Sequence, residues 1–156
     1  MEAGGISGAT TRTHAVPGGV RMSRGVSFQS RENGFHLRLP GGPAAAATAR
    51  QALGQLRGDF DEPLMETMRL LVTELVANSV RHTDAADVAV QAVVSGSAVW
   101  LEVRDEGPGF ERDSAMREAA HDEESGWGLF LVERLAHRWG VRRESGATYV
   151  WFELRR

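Results

Sequence analysis

The chain contains no cysteine and no lysine. The first absence excludes disulfides, thiol catalysis and cysteine-ligated metal sites. The second leaves all 18 basic residues as arginine and removes two common ways of holding a nucleotide. A P-loop sets a lysine on the β- and γ-phosphates, and a kinase of the eukaryotic type uses a strand lysine for the same task. Any nucleotide site here must follow another design. Long apolar runs are missing too: nothing approaches the roughly 20 residues needed to span a bilayer, and the N-terminus lacks the apolar stretch of a secretory signal. A net charge of -3 gives no reason to expect nucleic-acid binding. The plain expectation is a cytoplasmic protein with no membrane and no direct nucleic-acid contact.

What is present fits one domain of 156 residues. Residues 1–33 are rich in Gly, Ser, Thr and Arg without apolar periodicity, which predicts a mostly disordered tail. The folded unit is expected over 34–156, opening on a strand in "GFHLRLP", where Phe35, Leu37 and Leu39 alternate with polar residues. Pro43 suits a first helical turn, and 44–57 favours helix up to Gly58. Asp61 as N-cap and Pro63 just inside predict a second helix from about Glu62 to His82, with Leu64, Met68, Leu71, Leu75 and Val76 facing the core. "VAVQAVVSG" and "AVWLEVRDEG" read as two strands around a tight turn, and 126–140 as an amphipathic helix between glycines. A short helix is expected near Arg112 to Ala120, and a closing hairpin around Gly146. Together these elements predict an α+β fold: a two-layer α/β sandwich with a mixed, mostly antiparallel sheet and about three helices on one face.

Three stretches stand apart from this plan. "ELVANSVRH" sets Glu74, Asn78 and His82 four residues apart, nearly above one another on a helix otherwise made of Leu, Val and Ala. A carboxylate and an amide in that setting are costly unless satisfied, by a protein partner such as Arg69 or Arg81, or by a ligand with a metal. "DEGPGF" ends a strand at Asp105 and follows it with Gly107 and Gly109. "GWGLF" opens a helix with Gly126 and Gly128, and such a helix start offers free N–H groups and a positive dipole end to phosphates. Arg112 and Arg117, between the two glycine clusters, add positive charge there. Each stretch alone reads equally well as a turn, a cap or a salt-bridge site. Their order and separation carry the functional reading.

In that order, "ELVANSVRH", "DEGPGF" and "GWGLFLV" resemble the three nucleotide boxes of the GHKL ATPase superfamily, which groups gyrase, the ninety-kilodalton heat-shock chaperones, histidine kinases and MutL. The compact form is most similar to the anti-sigma-factor serine kinases of the RsbW-like branch. The resemblance covers about 35–156 and implies the Bergerat ATP-binding fold with ATP and Mg²⁺ as cofactors. It implies Asn78 as the Mg²⁺ ligand and Glu74 as the catalytic general base. It implies Asp105 as the acceptor for the adenine amino group, with Gly107 on the pocket floor and Thr148 near adenine. Gly109, Gly126 and Gly128 would frame a lid over the phosphates, with Trp127 and Leu129 in the same box as pocket contacts. The implied partners are a STAS-type anti-sigma-factor antagonist and a sigma factor, with a possible homodimer. The tail carries only His14, without helical heptads, so autophosphorylation of the histidine-kinase kind is not expected. The same fold also admits a nucleotide-gated adaptor without turnover, or a degenerate domain that binds no nucleotide.

Overall fold

The computed structural model describes residues 20–21, 25–56, 58–83, 86–110 and 127–156. Within these, one sheet is backed by helices. Strands β1 (Val20–Arg21), β2 (Ser27–Arg31), β3 (Gly34–Pro40), β4 (Asp87–Ser95), β5 (Ala98–Asp105), β6 (Arg138–Glu144) and β7 (Ala147–Arg155) lie in the order β1-β2-β3-β4-β5-β7-β6. Every described pairing is antiparallel, so the sheet is not mixed. The helices are α1 (Ala45–Ala52), continued by a 3-10 turn at Leu53–Leu56, α2 (Glu62–His82) and α3 (Trp127–Leu135). This is the expected α+β two-layer sandwich.

Register explains the core. Leu37, Val90, Val103, Val150 and Val141 form one cross-strand row, and Phe35, Ala92, Leu101, Phe152 and Trp139 form the next. Period-two alternation puts both rows on one sheet face. Met65, Met68, Leu71, Val72, Leu75 and Val76 of α2 are buried in the same core, as are Ala45, Ala49 and Leu53 of the α1 segment. Full burial of each large side chain contributes about 1.5–3 kcal/mol. The α2 stripe differs slightly from expectation: Met65 and Val72 are buried, while Leu64 packs at the edge.

Three expected boundaries move. Ser27–Arg31 falls inside the stretch assigned to the tail, yet it is a strand paired with β3, and Val26 and Phe28 are buried. The first helix stops at Ala52 and tightens into the 3-10 turn rather than running on to residue 57. The helix expected over 126–140 ends at Leu135: Ala136 N–H still reaches the Val132 carbonyl, but His137 N–H donates to Glu153 O at 2.8 Å. The sheet takes the backbone from there, and Trp139 joins the core opposite Phe152. Arg112, Arg117, the expected helix near 112–120, Gly126 and His14 lie outside the described residues. No helix among the described residues is long and apolar enough to cross a membrane.

Candidate functional site

The Glu74–Asn78 end of the site is built where α2 meets α3. Asp61 starts α2 by accepting a hydrogen bond from Leu64 N–H at 3.1 Å, and Pro63 sits in the first turn, where its missing N–H costs nothing. With the helix phase set, Leu71, Val72, Leu75 and Val76 go into the core, while Glu74 and Asn78 fall on the flank, half-buried. Gly128, buried in the first turn of α3, lies directly against them. A Cβ at that position would stand 2.5 Å from Asn78 Nδ2 and 3.3 Å from Glu74 Cβ. With the Asn78 amide in this position, only glycine lets the helix start come this close. First-turn N–H groups have no partner within their own helix and carry the positive end of its dipole.

The salt-bridge reading of Glu74 does not hold. Arg69 donates instead to Glu62 Oε1, at 2.6 Å. No hydrogen bond or ion pair joins the Glu74 or Asn78 side chain to another described residue. His82, at the end of the same row, is exposed.

The second end is built from β5 and β7. Asp105 closes β5 at 5% exposure, and its Oδ1 accepts the Gly107 N–H at 2.9 Å, which fixes the carboxylate. Gly107 is held against the end of α2, where a Cβ would stand 2.0 Å from Thr83 Cγ2. Gly109 has φ +74, a conformation suited to glycine. Thr148 is the register partner of Asp105 and is 1% exposed. Its Oγ1 has no hydrogen-bond partner, and it is the one buried side-chain polar atom in that condition among the described residues. Leaving a buried hydroxyl unsatisfied costs about 1–3 kcal/mol, so the position is adapted to something other than the protein's own stability.

Thr83 links the two ends. It follows the last residue of α2, its Oγ1 donates to Ser79 O at 2.5 Å, and its methyl group borders Gly107. It lies five positions after Asn78, about 7.5 Å along a helix axis. Of the other expected residues, Leu129 is nearly buried in α3, and Trp127 is 57% exposed with its ring edge-on to Phe130. Gly126 is outside the described residues. Sequence reading missed Thr83, whose position after a helix end carries no signal of its own. It also missed Arg143, which borders Gly109.

These residues fit a magnesium nucleotide. A carboxylate at one end can accept from an exocyclic amine, and beside it an unsatisfied hydroxyl can donate or accept. The other end offers an amide oxygen, a carboxylate and a helix start. No group of three or more His, Asp or Glu that could hold a metal occurs among the described residues.

Comparison with known proteins points the same way. Residues 39–154 match the histidine kinase-like ATPase domain family. The serine-protein kinases RsbW of Listeria monocytogenes serotypes 4a and 4b are each 27% identical over 129 residues, covering 73% of this chain and 82% of theirs. That of serovar 1/2a is 26% identical over the same span.

Proposed function

The chain belongs to the histidine kinase-like ATPase domain family, and on that premise we propose that it is an ATP-binding anti-sigma-factor serine/threonine protein kinase. Its substrate would be an anti-sigma-factor antagonist of the STAS type, and it would sequester a sigma factor while that antagonist is phosphorylated. A cytoplasmic setting and a possible homodimer belong to the same reading. The observation that carries it is a half-buried carboxylate and amide, Glu74 and Asn78, with no hydrogen bond or ion pair to another described residue, beneath Gly128 at the start of α3.

When bound, ATP with Mg²⁺ supplies the γ-phosphoryl group and neutralises its charge. The chain's own contribution is positioning and electrostatics, which is what phosphoryl transfer mainly requires. The Asn78 amide oxygen is the cation ligand. Glu74, one turn away, takes the proton of the incoming serine or threonine hydroxyl. The first turn of α3, the positive end of its dipole, faces anionic oxygens. Asp105, held by Gly107, accepts from the adenine amino group, and the Thr148 hydroxyl gains the partner it otherwise lacks. Gly107, Gly109 and Gly128 keep the backbone free of side chains around the ligand.

The test is transfer of γ-phosphate to a co-expressed antagonist protein. Glu74→Gln keeps nucleotide binding and lowers transfer by about a hundredfold or more, the usual range for a general base. A wild-type protein that binds ATP and transfers nothing overturns the kinase assignment and leaves a nucleotide-gated adaptor.

A further inference from the structure

Arg143 is the exception among the arginines of the last hairpin. Arg138 and Arg155 both bind Glu153, and Arg142 binds Glu102 and Glu144 while lying over the Tyr149 ring. Arg143 forms no ion pair or hydrogen bond with a described residue. An unpaired arginine on an edge strand is common enough, since charge there discourages strand addition. Its direction sets this one apart. Register places Asp105 on β5, Thr148 on β7 and Arg143 on β6 in one row across three adjacent strands, hence on one sheet face. The exposed Arg143 side chain lies against the same glycine as Thr148: its Nε and Cδ stand 2.8 and 2.9 Å from the point where a Gly109 Cβ would be, and Thr148 Oγ1 stands 2.7 Å from the same point.

We infer that Arg143 is a further ligand-binding residue: its guanidinium donates to a ring nitrogen of the purine whose amino group Asp105 accepts. This rests on the nucleotide reading above. The row then presents a carboxylate, a hydroxyl and a guanidinium in sequence: an acceptor, a group of either kind, and a fixed donor. A purine edge that alternates amine and ring nitrogen offers the complementary order. The unsatisfied Thr148 hydroxyl, almost fully buried at the centre of the row, is the independent sign that a polar ligand completes it. Arg143 belongs to the base end and not to the phosphates, because its neighbours are Gly109 and Thr148, whereas Asn78 and Glu74 border Gly128.

The experiment is calorimetric titration of the full chain with adenosine, ADP and ATP·Mg²⁺, for wild type, Arg143→Met and Arg142→Met. Methionine keeps an apolar stem and removes the donors, and apo melting curves check that the variants fold. Arg143→Met should lose affinity about tenfold or more, by the same factor for all three ligands, while Arg142→Met leaves affinity within about twofold. Unchanged adenosine affinity in Arg143→Met overturns the inference, and so does a loss confined to ATP, which would make the arginine a phosphate contact. A wild type that binds no adenine compound sinks the nucleotide reading itself, and a wild type that binds all three isolates the question to Arg143.

Discussion

Gly128→Ala separates the protein's stability from its function. The new Cβ would stand 2.5 Å from Asn78 Nδ2, a distance real side chains do not adopt, and 3.3 Å from Glu74 Cβ, which is tight but tolerable with a small shift. The atom in severe conflict is the far end of a side chain that no hydrogen bond ties to another described residue, so it can rotate away. Overpacking a rigid core costs about 1–3 kcal/mol, and here the cost falls at the low end because the obstacle moves. Alanine in place of glycine within a helix returns about 0.5–1 kcal/mol. The two nearly cancel, and the apo melting temperature should shift by less than about 4 °C.

Binding behaves differently. On the proposed function, a rotated Asn78 amide would no longer hold its oxygen where the cation requires it. Losing one interaction with a charged group costs about 1.5–3 kcal/mol, which is about ten- to a hundredfold or slightly more in affinity. The assay pairs apo thermal melts with a calorimetric titration of ATP at saturating Mg²⁺. Affinity within about twofold of wild type refutes the claim that Gly128 sets the amide for the cation. A drop in apo melting temperature of more than about 8 °C refutes the claim that the clash is confined to a movable side chain.

Thr148→Val removes the orphaned hydroxyl at nearly constant volume, so the apo protein should gain about 1 kcal/mol or more while losing nucleotide affinity; a fall in apo melting temperature contradicts this. Gly107→Ala places a Cβ 2.0 Å from Thr83 Cγ2 and should destabilise by about 1–3 kcal/mol. A double-mutant cycle with Thr83→Gly should show coupling above about 0.5 kcal/mol, and strict additivity would count against the contact. Hydrogen bonds from Arg138 and Arg155 hold the Glu153 carboxyl below its usual range. A depressed carboxylate pKa stabilises the fold above the unfolded pKa and loses that contribution as pH falls through the folded one. Glu153→Gln should therefore melt lower than wild type at neutral pH, with the gap closing in acid; a gap that persists at low pH contradicts it.

The parts of the fold legible in the sequence are those where local chemistry and tertiary packing agree. Asp61 and Pro63 fixed the start of α2 because the cap is a local hydrogen bond, and β4–β5 were readable because alternation and a two-residue Gly96-Ser97 turn coincide. Strand β2 was missed although Val26 and Phe28 alternate with polar residues and the Asn33-Gly34 pair signals a turn. Its Ser and Arg content resembles a tail, and only the partner strand β3 supplies the hydrogen bonds that make it a strand. The end of α3 was misplaced for a related reason: Val132, Leu135, Ala136 and Trp139 keep helical spacing through the break. What stops the helix is the Glu153 carbonyl of β7, distant in sequence and invisible to periodicity.

The candidate site divides the same way. Glu74, Asn78, Asp105 and the glycines stand out because each violates a local expectation: polar groups on an apolar helix, or flexible backbone where a strand ends and a helix begins. Thr83 and Arg143 violate nothing locally. A threonine after a helix and an arginine in a hairpin are ordinary, and they acquire meaning only when strand register lays β6 beside β7 and the end of α2 against Gly107. Unsatisfied chemistry is therefore the more general guide. Thr148 looks unremarkable in a strand, but the fold buries its hydroxyl without a partner, opposite a carboxylate held in place by a glycine amide. A chain without lysine that holds a polyphosphate has to do so through backbone N–H groups, an amide and arginine. On the proposed function, the polar groups that the described fold leaves unpaired, Glu74, Asn78 and the Thr148 hydroxyl, are where a ligand would take the place of the protein's own hydrogen bonds.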